Sequence, residues 1–232
     1  MKLNVVLLLI WSCCFNVSAA EQLLVGTTGD YRPLTWLDEP SHVFSGEAIE
    51  LLQRFAKDEG FEVTFVQTHW PELSTDLASG RFQMAVGGIS ATQGRAEQFL
   101  VSVPIAVFGK TALMRCRDQS RFNDFHDIDR TGIRIVENRG GTNERFALSR
   151  IKKATLIIVP NNHLPFRYLV ENKADVMFTD SIEVDYISRI NPLLCGLRSK
   201  KRYTTSEKVF LFRRDEVALQ KKFNTWFKKQ KK

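Results

Sequence analysis

Short apolar runs alternate with amphipathic stretches along most of the chain, and the spacing of the apolar positions switches between a strand period and a helix period. The run LLVGTT at 23–28 predicts a strand. In SGEAIELLQRFAKDEG, Ile49, Leu52 and Phe55 recur at helical spacing, with Ser45 placed to cap the helix and Gly60 to end it. FEVTFVQ alternates as a half-buried strand does, PELSTDLASG predicts a short helix opening on Pro71, and FQMAVGG predicts a further strand. The same order then begins again: IRIVEN as strand, GGTNERFALSRI as glycine turn and helix, TLIIVP as strand, HLPFRYLVEN as helix, ADVMFTD as strand and SIEVDYISRI as helix.

Strands interleaved with helices imply an α/β fold with largely parallel sheet. Two such sets of about a hundred residues each suggest two lobes with a cleft between them. We place the first lobe at 21–110, the second at 111–202, and a return of 203–232 to the first, with crossings near 109–114 and 199–208. In open parallel sheets ligands bind beyond the carboxyl ends of the strands. By that rule 28–31, 87–90, 138–143 and 180–183 all face the cleft.

The first twenty residues stand apart. MKLNVVLLLIWSCCFNVSAA has a lysine, a short apolar run and a small-residue tail, as a cleavable export signal does, with cleavage after Ala19 or Ala20. The run is too short to span a membrane. Cys13 and Cys14 are poor lipid-anchor candidates, because LIWSC lacks a small residue just before the cysteine. Export would place the mature protein in the periplasm and leave Cys116 and Cys195, which are expected to pair in an oxidising compartment. Cys spacing and the four scattered histidines give no support to a metal site. The formal charge of +7, or +6 without Lys2, sits largely in the tail KKFNTWFKKQKK. A terminal lysine run reads as a solvated helix face, so the charge biases the protein toward small anionic ligands and away from a nucleic-acid role.

Several residues near the strand ends carry candidate chemistry. Asp180 and Glu183 lie three apart at the start of a helix, which puts them on one face. From spacing alone they form a capping box, Asp180 as cap and Glu183 reaching back. Arg95 offers a planar fork for a carboxylate, and GGTNE around Thr142 and Asn143 sets backbone N–H groups at a helix start, where anions bind. Trp70 could wall a ring or fill the core. Ser90 and Thr28 could supply hydroxyl contacts, and Lys208 could reach the cleft from the returning chain.

The segments GGISATQGR and VTFVQTHWPEL followed by DLASGRFQMAVGGIS resemble the family 3 periplasmic solute-binding proteins, the two-lobed amino-acid receptors of ABC importers. A narrower resemblance links VGTTGDYRPLTW, THWPEL, GKTALMRC, ENRGGTNERFA, ADVMFTDSIE, PLLCGL and SEKVFLF, in this order, to the cyclohexadienyl dehydratases, which share that fold. Arg139 stands where that pattern has proline, and SVPIA lacks its tyrosine. The resemblance implies a two-lobed periplasmic-binding-protein-like fold of type II. It implies decarboxylating dehydration of prephenate to phenylpyruvate or of arogenate to phenylalanine, with Glu183 as general acid. Arg95, Thr142 and Asn143 then hold carboxylates, Trp70 and Asn138 line the pocket, and Asp180 matches the acid that holds an amino group in amino-acid receptors. Aromatisation drives this reaction, so no cofactor is expected. The rival reading is a non-catalytic receptor for an amino acid, which keeps Arg95 and Asp180 and has no use for a protonated Glu183.

Overall fold

A computed structural model describes residues 20–230. The export signal therefore lies, except for Ala20, outside the described residues. Two five-stranded sheets form the centres of two lobes. In the first, the strand order is Phe61–Gln67, Glu21–Thr27, Met84–Ala85, Leu211–Phe212, Leu100–Val101. In the second it is Thr155–Val159, Arg134–Asn138, Val176–Asp180, Lys110–Arg115, Leu194–Gly196. The first three strands of each sheet run parallel. Beyond them the sheets turn antiparallel, because the chain enters or returns from the other lobe there.

Each sheet is buried on both faces, as a sheet covered by crossover helices must be. In the first lobe, Leu23, Val25 and Met84 pack with the helix Glu47–Glu59 through Ile49, Leu52 and Phe55. The opposite face rests on Leu73, Leu77 and Phe82. The basic tail forms the helix Val217–Gln230, whose Phe223, Trp226 and Phe227 join the first core while its lysines face outward. In the second lobe one face of the sheet packs Phe122, Ile128 and Phe178, and the other Val136, Leu169 and Val184.

The two passages between lobes lie side by side as an antiparallel ladder, Ala106–Phe108 against Ser206–Lys208. The first passage thus comes earlier than 109–114, since Lys110–Arg115 is already a strand of the second sheet. Cys116 and Cys195 are disulfide-bonded, closing a 79-residue separation at the edge of that sheet.

Local structure departs from expectation at two helix starts. Ser45 does not cap the helix Glu47–Glu59: its hydroxyl reaches the Trp36 carbonyl, and Gly46, at φ 120°, is the cap residue. The N–H groups of Glu47 and Ala48 instead donate to the carbonyls of Pro33 and Leu34, each at 3.0 Å. A side chain at Gly46 would collide with those carbonyls, so a loop replaces the side-chain cap. The second short helix spans Leu73–Ala78, beginning after Pro71 rather than on it.

Candidate functional site

The carboxyl ends of the parallel strands face each other across the gap between lobes. Tyr31 follows the strand Glu21–Thr27, Gly88 and Ser90 follow Met84–Ala85, Asn138 ends Arg134–Asn138, and Asp180 ends Val176–Asp180. With Trp70, Arg95, Gly141, Thr142, Asn143 and Asn162 they line a nearly closed cleft of about 20 Å³, room for about one water molecule. The lobes touch across it. Tyr31 Oη donates to Asp180 Oδ2 at 2.5 Å, Asn162 Nδ2 to the Asp30 carbonyl at 2.9 Å, and the Ser90 and Thr142 hydroxyls approach to 3.4 Å.

Asp180 is the centre of this contact. It occupies the cap position of the helix Ser181–Ile190 yet makes no side-chain cap bond. The capping-box reading fails here because stronger donors claim the carboxylate. Lys110 lies directly opposite Asp180 in the antiparallel ladder, so both side chains project from the same face. Its ammonium meets Asp180 Oδ1 at 2.5 Å, and that of Lys208 meets Oδ2 at 2.6 Å. All three charged groups are buried. Burial alone would raise the Asp180 pKa, but the two ammonium groups override it and hold it at about 2. Burial brings Lys208 down to about 8, against the pull of Asp180.

Glu183 is 1% exposed and turns inward, away from the backbone N–H of Asp180. One carboxyl oxygen accepts from the Thr179 hydroxyl, and the other faces Asn162 Nδ2 at 3.5 Å. Desolvation raises its pKa to about 8; the Thr179 hydroxyl opposes this and the charge of Asp180 adds to it. Adjacent carboxyl groups are therefore held in opposite states at neutral pH, one ionised and one protonated. A third, Glu137, is also pushed well above the usual range by burial, its Oε1 accepting from the Phe178 N–H and its Oε2 without a hydrogen-bond partner.

Arg95 lies in the wall, its Nη1 donating to the Ser90 carbonyl at 2.7 Å. Burial and the charge of Arg145 lower its pKa to about 10, which leaves it cationic. Trp70 donates to Asp30 at 3.0 Å and packs edge-on to Tyr31. Asn138 presents a buried Oδ1 without a partner. At the glycine turn, Gly141 precedes the helix Thr142–Arg150, and the Gly140 N–H is taken by Glu144. Ser90, Thr142, Asn143 and Asp180 all reach the cleft, and Lys208 stands directly behind Gly88 and Ser90. Thr28 is buried outside the lining, and Glu183 stands behind Asn162 rather than in the wall itself. Tyr31, Lys110 and Asn162 were not singled out from the sequence. Lys110 becomes visible only through its pairing opposite Asp180, which no local pattern records.

Two mixed α/β lobes joined by paired strands, with polar residues converging from the strand ends of both, define the two-lobed periplasmic-binding-protein fold. The chain belongs to the bacterial extracellular solute-binding proteins, family 3, whose model matches residues 23–232. It is 38% identical over 195 residues to the cyclohexadienyl dehydratase of Pseudomonas aeruginosa, covering 84% of this chain and 72% of that protein. It is 23% identical to the ABC transporter arginine-binding protein 1 of Escherichia coli, covering 97% and 91% respectively. The crystal structure of an ancestral amino acid-binding protein, a precursor of cyclohexadienyl dehydratase, superposes with a TM-score of 0.83 at 27% identity, covering 90% of this chain and 89% of the other. Among the described residues no helix is long and apolar enough to cross a membrane, and no cluster of metal-ligating side chains occurs.

Proposed function

We propose that this protein is a periplasmic cyclohexadienyl dehydratase, converting prephenate to phenylpyruvate, or arogenate to phenylalanine, with Glu183 as the general acid. The observation that carries the reading is a glutamic acid buried behind the cleft wall, where desolvation pushes its pKa up to about 8, while two ammonium groups hold Asp180 in the wall as the anion. Paired carboxyl groups whose environments drive them to opposite states are how an acid and an anion are assigned in one site.

Substrate carboxylates meet Arg95 and the turn at Gly141, and Trp70 and Tyr31 wall the ring. The C–C bond to the departing carboxylate breaks, its electrons enter the ring, and the C–O bond opposite breaks. The hydroxyl leaves as water, carrying the Glu183 proton, while carbon dioxide departs. Glu183 is then reprotonated from solvent. Proton donation of this kind supplies roughly 10²–10⁴-fold of rate. Parting of the lobes breaks the bond from Asn162 to Asp30, which frees Asn162 to move aside from Glu183 as substrate enters.

The receptor reading draws support from the amino acid-binding relatives. It gives no reason to bury a protonated acid behind the wall. The purified protein is expected to generate phenylpyruvate from prephenate, and Glu183→Gln to retain binding while losing turnover by at least about a hundredfold. Tight amino-acid binding by wild type with no turnover of either substrate would reject the enzyme reading.

A further inference from the structure

Glu137 has no part in the reaction above, yet it is a fully buried acid in an interior strand of the second sheet. The strands Arg134–Asn138 and Val176–Asp180 are each five residues long, but their pairing ends at Ile135 opposite Val176. Neither strand leaves its other neighbour: Arg134–Asn138 stays paired with Thr155–Val159 throughout, and Val176–Asp180 with Lys110–Arg115. The sheet therefore opens along one seam only, toward the strand ends that face the cleft. Continued, the register would set Glu137 opposite Phe178 and Asn138 opposite Thr179. Instead the Glu137 carboxyl takes the place of the ladder, its Oε1 accepting the Phe178 N–H at 2.6 Å. Its Oε2 has no hydrogen-bond partner. Burial holds this carboxyl neutral, opposed by the Phe178 N–H and the Lys110 charge and aided by the charges of Glu183 and Asp180. A buried acid with one oxygen unsatisfied costs stability, and an apolar side chain of similar volume would cost less.

Thr179, whose partner in a continued ladder would be Asn138, is reached instead by a side chain of the helix Thr142–Arg150. Asn143 Nδ2 donates to Thr179 Oγ1 at 3.3 Å, Asn143 Oδ1 accepts from Lys110, and the Thr179 hydroxyl donates to Glu183. We infer that Glu137 is a positioning residue for the proton donor: its carboxyl holds the two strands apart, so that Asn143 can fix the Thr179 hydroxyl on Glu183. An aliphatic residue at 137 would offer nothing to the Phe178 N–H. A buried N–H must find an acceptor, so it would turn to the backbone of the neighbouring strand, close the seam and draw Thr179 toward Asn138. The inference rests on the dehydratase reading for the role of Glu183, and not for the geometry of the seam.

Glu137→Val keeps nearly the same side-chain volume and suits a strand, whereas Glu137→Gln keeps an acceptor for the Phe178 N–H. The urea midpoint of Glu137→Val at pH 7 is expected to equal or exceed that of wild type, while kcat on prephenate falls at least about tenfold. Glu137→Gln is expected to keep kcat near the wild-type value. Infrared spectra of each protein against its own Glu183→Gln version give the ionisation midpoint of Glu183. That midpoint should lie near pH 8 in wild type and in Glu137→Gln, and rise in Glu137→Val, because the Thr179 hydroxyl favours the ionised form. The charges facing Glu183, those of Asp180, Asp30 and Lys208, are the same in all three proteins. A lower urea midpoint or failure to fold in Glu137→Val would overturn the inference, since Glu137 would then hold the lobe together rather than open it. So would an unchanged Glu183 midpoint or unchanged kcat in Glu137→Val, or loss of turnover in Glu137→Gln. Absence of turnover in wild type rejects the dehydratase reading alone, and the urea and infrared comparisons then decide the inference.

Discussion

Asp180→Asn isolates the charge cluster that joins the lobes. The substitution keeps the shape of the side chain and removes the anion between two buried ammonium groups. Holding Asp180 at about 2 against an ordinary value of 3.8 corresponds to about 2 kcal/mol of stabilisation of the ionised form. That figure covers only the carboxylate. The variant also leaves Lys110 and Lys208 buried with no counter-charge, and breaking a buried pair from one side costs about 3–5 kcal/mol. The two figures overlap, and we expect a loss of about 3–5 kcal/mol at pH 7. For a chain of this size the melting temperature would fall by roughly 10 °C. Thermal and urea unfolding of the ligand-free, disulfide-intact proteins would measure it. The Asp180 pKa is depressed in the folded state, so its contribution is complete above about pH 4 and lost as pH falls toward 2; the gap between wild type and variant should narrow over that interval. A loss under about 1 kcal/mol at pH 7 would refute the reasoning, because the ammonium groups could not then be buried on this carboxylate.

Other outcomes follow from the same geometry. With Glu183 raised to about 8 and active when protonated, kcat should be level through neutral pH and fall above about 8 in a pH–rate profile; kcat/KM should fall more steeply, since Lys208 releases its proton in the same range. The folded protein binds the Glu183 proton more tightly than the unfolded chain, so Glu183 favours unfolding progressively from about pH 4.5 to 8, and denaturant titrations of Glu183→Gln should show less decline over that window. Gly88→Ala would set a methyl group 2.4 Å from the Tyr31 ring, and steady-state kinetics should show KM raised at least about tenfold. Replacing both Cys116 and Cys195 with Ala releases a 79-residue loop constraint and should lower unfolding stability by about 4 kcal/mol in urea titrations.

Much of the fold could be read locally. The alternation in FEVTFVQ and the spacing of Ile49, Leu52 and Phe55 both report burial by the sheet of their own lobe, so periodicity found them. The parallel strands Arg134–Asn138, Thr155–Val159 and Val176–Asp180 were visible for the same reason. What local pattern missed came from distant partners. Ser45 looks like a cap until the carbonyls of Pro33 and Leu34 arrive to do that work. Asp180 and Glu183 look like a capping box until Lys110, Lys208 and Tyr31 claim the first and Thr179 the second. Seven of the residues singled out do line the cleft, because the rule of strand carboxyl ends depends only on topology. Lys110 escaped notice because its importance lies in an antiparallel register between segments 70 residues apart.

The protonation state of Glu183 can be observed directly by infrared difference spectroscopy. Wild type minus Glu183→Gln should show the carbonyl stretch of a neutral carboxylic acid at pH 7, disappearing with a midpoint near pH 8 as the carboxylate bands grow. Because Glu137 is common to both proteins, its signal cancels. A difference spectrum with the carboxylate already formed at pH 6 would contradict the account, since a glutamate ionised at that pH has no proton to give the leaving hydroxyl.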